Sequence, residues 1–319
     1  MSARVLVTGA SGFVGRAVLQ PLRARGFEVH GTARGGSPPE AAGCAWHRAD
    51  LLDLRQRRAL LDEVGPSHIL HLAWYAVPGR YWTAPENTLW LEASLDLIAL
   101  SHGMRVVMAG TCAEYDWSWN GIFRESDPCR PSTPYGQAKL AVRKALAAAR
   151  GDSAWGIIFF PFGPHEAATR LVPSVASALL KGEMARCTHG AQVRDFLFVE
   201  DLGDAFAALL SSPLQGALNL ASGVGRSIRS LVERLRAKLG GEIDFGALPS
   251  PSGDPPRLVA DVRRLHEELG WSPPIGIEAG LDRTIAWCRC KDVTSSQSLA
   301  SEQTAPSGVS PADRSRSLD

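Results

Sequence analysis

Apolar residues in the first half of the chain fall into short runs, and between the runs they recur at helical spacing. RVLVT (4–8), FEVHGTA (27–33), SHILHLA (67–73), MRVVMAG (104–110) and WGIIFF (155–160) are rich in β-branched and aromatic residues and predict five strands. Residues 13–25, 53–64, 86–101 and 136–149 predict four helices between them. Gly26, the pair Gly65–Pro66 and Gly103 stand where helices should stop. Pro21 lies inside the first helix, where it either kinks the helix or is accommodated at a cost. Strand–helix alternation of this kind implies a parallel sheet with helices on both faces.

The second half is less regular. Residues 171–186 and 227–239 predict amphipathic helices, 196–210 a strand running into a helix, and 217–223 a strand ending in glycine. Residues 246–257 are rich in Pro, Gly and Ser and predict a loop, and 260–271 predicts a short helix. From about residue 291 large apolar residues almost vanish, so 291–319 is expected to be a disordered tail that burial cannot hold.

Bulk properties narrow the function classes. A hydrophobic fraction of 45% over 319 residues supports a large core. Lys+Arg 34 against Asp+Glu 33 gives +1, so no basic excess points to nucleic acid or a membrane surface. The N-terminus enters a strand without a charged-then-apolar leader, and no apolar run is long enough to span a bilayer. Six scattered cysteines suggest free thiols and a cytoplasmic setting rather than a disulfide framework. Cys288 and Cys290 lack a second ligand pair, so no metal is expected.

The turn from the first strand into the first helix reads TGASGFVG, with Gly9, Gly12 and Gly15 spaced by three. Such a turn lets a pyrophosphate approach the backbone and meet the amides of a helix N-terminus, so it predicts a dinucleotide site. An acidic residue at the end of the second strand would bind a ribose 2′-hydroxyl. GTARGG (31–36) has none, and Arg34 suits a 2′-phosphate, which favours NADP(H) over NAD(H).

YGQAK places Tyr135 and Lys139 one helical turn apart on one face. A nearby ammonium should lower the tyrosine pKa and make the phenol a working acid or base. Thr111 ends the fourth strand at the carboxyl edge of the sheet, where open α/β folds bind ligands, and supplies a hydroxyl for a substrate oxygen. The three together point to hydride chemistry at a carbinol carbon.

With ADLLD (49–53), HLA (71–73), GTCAEY (110–115), GPHE (163–166), RDFLFVEDL (194–202) and ADVRRLHEELGW (260–271), the chain over about residues 3–290 resembles the extended short-chain dehydrogenase/reductases of the NAD-dependent epimerase/dehydratase group, which act on nucleotide sugars. The resemblance implies an α/β fold, a Rossmann-type doubly wound parallel sheet with a smaller C-terminal substrate-binding lobe. It places the dinucleotide-binding domain at 1–160, joined by parts of 196–223, and the substrate lobe at 161–195 and 224–290. It makes Thr111, Tyr135 and Lys139 catalytic. It puts Gly9, Ser11, Gly12, Phe13, Val14, Gly15, Asp50, Leu51, Leu72, Ala73 and Asn87 around the cofactor, and Arg194 on the substrate pyrophosphate. It also implies a homodimer built on a helix bundle that includes 136–149, whose Ala-rich face permits close packing.

Departures from the family pattern bear on the reaction. Cys112 and Ala113 occupy the positions where 4,6-dehydratases carry an acid pair, and strand alternation should turn Glu114 elsewhere. The reading is an NADPH-dependent reductase of a nucleotide-linked 4-keto-6-deoxyhexose. The alternatives are an epimerase with bound NAD, a bifunctional epimerase-reductase using Cys112 and His165 at the substrate, and a non-catalytic NADP-binding regulator. Ile157, Phe160 and Phe198 replace polar residues of the family pattern and suggest an apolar sugar pocket.

Overall fold

The computed structural model describes residues 3–35, 43–119, 121–149, 151–250 and 253–303, the last twelve by backbone alone. The first half runs β1 (Arg4–Thr8), α1 (Phe13–Ala24), β2 (Glu28–Ala33), β3 (Ala45–Arg48), α2 (Leu54–Val64), β4 (His68–His71), α3 (Glu86–Leu100), β5 (Arg105–Thr111), α4 (Pro134–Ala148) and β6 (Ser153–Ile158). There follow β7 (Phe160–Phe162), α5 (Leu171–Leu180), β8 (Ala185–Cys187), β9 (Val193–Phe198), α6 (Val199–Ser211) and β10 (Gly216–Leu220). The chain closes with β11 (Gly225–Ser227), α7 (Ile228–Leu239), β12 (Ile243–Phe245), β13 (Arg257–Leu258), α8 (Arg263–Glu267) and α9 (Gly276–Gln303).

Seven strands form one parallel sheet in the order β10-β6-β5-β4-β1-β2-β3, a Rossmann-type doubly wound arrangement. Burial on both faces explains the unbroken apolar runs. Leu60, Leu61, Trp90, Leu97, Val142 and Leu146 from α2, α3 and α4 cover one face. Val18, Leu22, Leu202, Phe206 and Leu210 from α1 and α6 cover the other. At Phe159 the chain leaves this sheet: β6 pairs with β10, while β7 pairs with β9 of a second, smaller sheet. That sheet packs with α5, α7 and α9 into a C-terminal lobe around Phe162, Phe196 and Phe198.

Four features differ from the sequence expectation. β3 has no apolar run, because AWHR is an edge strand with half-exposed side chains. The helix expected over 171–186 stops at Leu180, where Gly182 adopts φ +72, and β8 follows. The helix expected over 260–271 is only Arg263–Glu267. The tail expected from 291 begins as helix: α9 continues to Gln303, and no Gly or Pro interrupts the sequence between Gly280 and Pro306. The remainder of that tail lies outside the described residues. Pro21 sits inside α1 without ending it.

Candidate active site

After β1 the sheet builds outward through β2, whereas β4 flanks β1 on its other side. Connections leaving in opposite directions open a crevice at the carboxyl ends of β1 and β4. The two turns bounding that crevice are tied together by buried groups. The Thr8 hydroxyl accepts from the Leu72 and Ala73 amides at 3.2 and 3.3 Å and donates to His71 Nδ1 at 2.7 Å. His71 Nε2 then donates to Ser94 Oγ at 3.0 Å, whose own proton goes to the Trp90 carbonyl. Burial pushes the His71 imidazole down to about 3, so it works as a neutral strut with a fixed tautomer.

Above these turns lies a cleft of about 450 Å³. Gly9, Ser11, Gly12, Phe13, Val14, Gly15, Arg34, Leu51, Leu72 and Ala73, all anticipated from the sequence, line it. Helix α1 starts at its edge with no side chain capping its first amides, which leaves donors for phosphate oxygens. Gly12 presents its open side there. Loop, helix terminus and Arg34 fit a dinucleotide. Two anticipated residues are engaged elsewhere. Asp50 accepts from the Leu52 amide at 3.0 Å, and only its neighbours Ala49 and Leu51 line the cleft. Asn87 is buried, donates to the Tyr81 and Ala84 carbonyls and accepts from Trp74 Nε1 at 2.9 Å.

Tyr135 and Lys139 project from the first turns of α4. Thr133 caps that helix by accepting from the Gly136 amide, and Pro134 occupies its first position. The Thr111 hydroxyl interacts with the Tyr135 phenol and pulls its pKa down, but burial and the adjacent Tyr81 hold the phenol above its ordinary value. The Lys139 ammonium is held by other groups. It donates to the Ala109 carbonyl at 2.9 Å and sits 3.8 Å from the centre of the Trp74 ring. Burial pushes Lys139 down to about 7, against the pull of Glu114.

The residues after Thr111 form a 3-10 turn, so strand alternation does not govern them. Glu114 is fully buried, accepts from the Thr111 amide and Trp155 Nε1 at 2.9 and 3.1 Å, and faces Arg143. Cys112 is buried in the core with its thiol pushed up to about 12. His165, at φ +68, packs on Trp287 and lines a separate cavity between α1 and α6. Arg194 is buried, paired with Asp254 at 2.5 Å and set over the Phe160 ring. Its neighbour Asp195 accepts from Ser222, Gly223 and Ala260. Ile157 and Phe198 are sealed in the core, so they cannot make a sugar pocket apolar.

An aromatic wall, unanticipated in the sequence reading, does face Tyr135. The rings of Tyr81, Trp82 and Trp74 meet it edge-on at 4.9, 5.8 and 6.3 Å between centres. A signal existed: WYAVPGRYW (74–82) holds two of the chain's four Tyr and two of its nine Trp. Glu166 and Arg170, also unanticipated, line the cleft, and Arg170 lies close to the Tyr81 phenol.

The model of the NAD dependent epimerase/dehydratase family matches residues 5–221. A UDP-glucose 4-epimerase of Streptomyces lividans is 31% identical over 304 residues, spanning 86% of this chain and 92% of its own. The structure of Thermotoga maritima UDP-glucose 4-epimerase with UDP-glucose shares the fold with TM-score 0.83 at 22% identity, covering 90% of this chain and 99% of its own. The Thermus thermophilus UDP-glucose 4-epimerase complex with NAD gives TM-score 0.78 at 26% identity, with coverage of 90% and 99%.

Proposed function

The chain belongs to the NAD-dependent epimerase/dehydratase family, and on that premise we propose that it inverts C4 of a nucleotide-linked hexose, with UDP-hexoses as the substrate class and a retained nicotinamide dinucleotide. The observation that carries the reading is the placement of the Tyr135 phenol close to Thr111, where β5 ends at the sheet's carboxyl edge, and against Trp74, which lines the dinucleotide cleft. The nicotinamide supplies reversible hydride transfer at the sugar carbon. Tyr135 would take the proton of the 4-hydroxyl and later return it to the same oxygen. Thr111 bonds the same oxygen and keeps it in line with the phenol. Lys139 adds positive charge that favours tyrosinate when a ligand turns it from the Ala109 carbonyl.

Water elimination would need a further acid and base, and Glu114, the nearby carboxyl, is committed to Thr111, Trp155 and Arg143. This separates the proposal from a dehydratase. Cys112 is buried with its thiol held protonated, and His165 lines a different cavity, which weighs against the bifunctional reading. Exposed Leu89 and Leu95 on α3, beside α4, favour assembly of two copies through these helices.

Mass spectrometry of denatured, freshly purified protein tests retention, and NMR of UDP-glucose incubated without added cofactor tests conversion to UDP-galactose. NAD released near one per chain together with conversion is the expected result. A second reading, the NADPH-dependent 4-ketoreductase, rests on Arg34 in the cleft at the end of β2, where no carboxylate stands. Under it, Arg34→Ala weakens NADP binding by roughly 10- to 100-fold, the worth of a charge-assisted bond, and leaves NAD binding alone. Isothermal titration with both dinucleotides decides, and equal small effects on the two would remove Arg34 as a 2′-phosphate ligand.

A further inference from the structure

Four buried side-chain atoms lack a hydrogen-bond partner among the described residues: Trp46 Nε1, Arg57 Nε, Gln192 Oε1 and Glu166 Oε2. Only Glu166 among these residues lines the dinucleotide cleft. It sits in the loop between β7 and α5, and 7% of it is exposed. Its other oxygen lies 3.7 Å from Arg170 Nε, too far for a hydrogen bond. Arg170 is also engaged by Tyr81 from the facing loop. Arg34 and Arg170 are the other charged side chains of the cleft lining.

These charges and the glycine turn suit a polyanion, and an ionised carboxylate facing its phosphates would repel it. We propose that Glu166 is a ligand-binding residue that acts as a neutral acid, donating its proton to an oxygen of the bound dinucleotide. The inference rests on the dinucleotide reading given above. Burial already pushes this carboxyl up to about 7, against Arg170 and the Gly163 amide, and a bound anion raises it further. In the free protein this carboxyl is therefore half-ionised near pH 7, and binding there takes up about half a proton.

The sign follows from linkage. With a free-state pKa of about 7, one proton uptake makes binding of NAD⁺ or NADP⁺ about tenfold weaker at pH 8 than at pH 6. Lys139 titrates in the same range, so the informative quantity is the difference between wild type and Glu166→Gln, in which Lys139 is untouched. Calorimetric titration with NAD⁺ and NADP⁺ at pH 6, 7 and 8, in buffers of differing ionisation enthalpy, measures affinity and proton uptake together. Glu166→Gln keeps a neutral donor, so it holds its pH 6 affinity and loses the tenfold fall and about half a proton of uptake at pH 7. Glu166→Ala removes the donor and binds more weakly than Gln at pH 6. Equal pH dependence and uptake in wild type and Gln would overturn the proposal, as would an Ala variant that binds as well as Gln. A wild type that binds neither dinucleotide would sink the cofactor reading along with it, whereas binding with unchanged linkage sinks this inference alone.

Discussion

Tyr135→Phe is expected to lower turnover by about 10²- to 10⁴-fold, the usual worth of a positioned acid or base. Dinucleotide affinity should stay close to that of the wild type. The ring itself is held by the edges of Tyr81, Trp82 and Trp74 and by its place in the first turn of α4, none of which needs the hydroxyl. A phenylalanine fills the same space and removes only the group that meets Thr111. Epimerisation followed by NMR, with binding read from tryptophan fluorescence, separates the two effects. Trp74 lines the cleft and Trp82 packs on Tyr135, which places two reporters at the site. Turnover within a few fold of wild type would remove Tyr135 as the proton carrier. A parallel loss of dinucleotide binding would mean that the hydroxyl props the cleft rather than serving the chemistry.

The parts of this site that sequence made legible are those where backbone geometry dictates residue type. Gly9, Gly12 and Gly15 announce a turn that meets phosphates, and the runs at 4–8 and 104–110 place that turn and Thr111 on one edge of a parallel sheet. Side-chain direction was much less legible. Strand alternation predicts the direction of Glu114, but the strand ends at Thr111 and a 3-10 turn re-aims it. Lys139 shares a helix face with Tyr135, yet its flexible stem carries the ammonium to Ala109 and Trp74. Arg194 found its partner in Asp254, sixty positions on, which no local pattern encodes. GPHE carries no sign of a role for Glu166, because burial and a missing partner exist only in three dimensions.

Glycine substitutions in the turn should divide into two outcomes that reveal which glycine serves the ligand and which serves the fold. A Cβ at Gly15 would lie 2.0 Å from the Gly9 carbonyl oxygen and 2.7 Å from Ala10 Cα, so the start of α1 must move off β1. Gly15→Ala therefore costs about 1–3 kcal/mol or more as an overpacked backbone contact. Its melting midpoint should fall by roughly 2–4 °C for each kcal/mol, and dinucleotide binding should fall with it. Among the described residues, its two chain neighbours aside, an added Cβ at Gly12 meets within 4 Å just the Gly9 oxygen at 3.1 Å, and φ −76 suits any residue. Gly12→Ala should leave the melting midpoint near that of the wild type. The methyl then occupies space that a pyrophosphate needs, and an overlap worth about 1–3 kcal/mol weakens binding roughly 5- to 150-fold. Gly9 belongs with Gly15, since its φ of +69 and a Cβ contact of 2.8 Å to the Ala73 amide nitrogen allow no side chain. Thermal melts and dinucleotide titration of the Gly12 and Gly15 variants test this. A Gly12→Ala protein that binds NAD⁺ and NADP⁺ like the wild type would place the phosphates away from this turn, however well the fold tolerates the change.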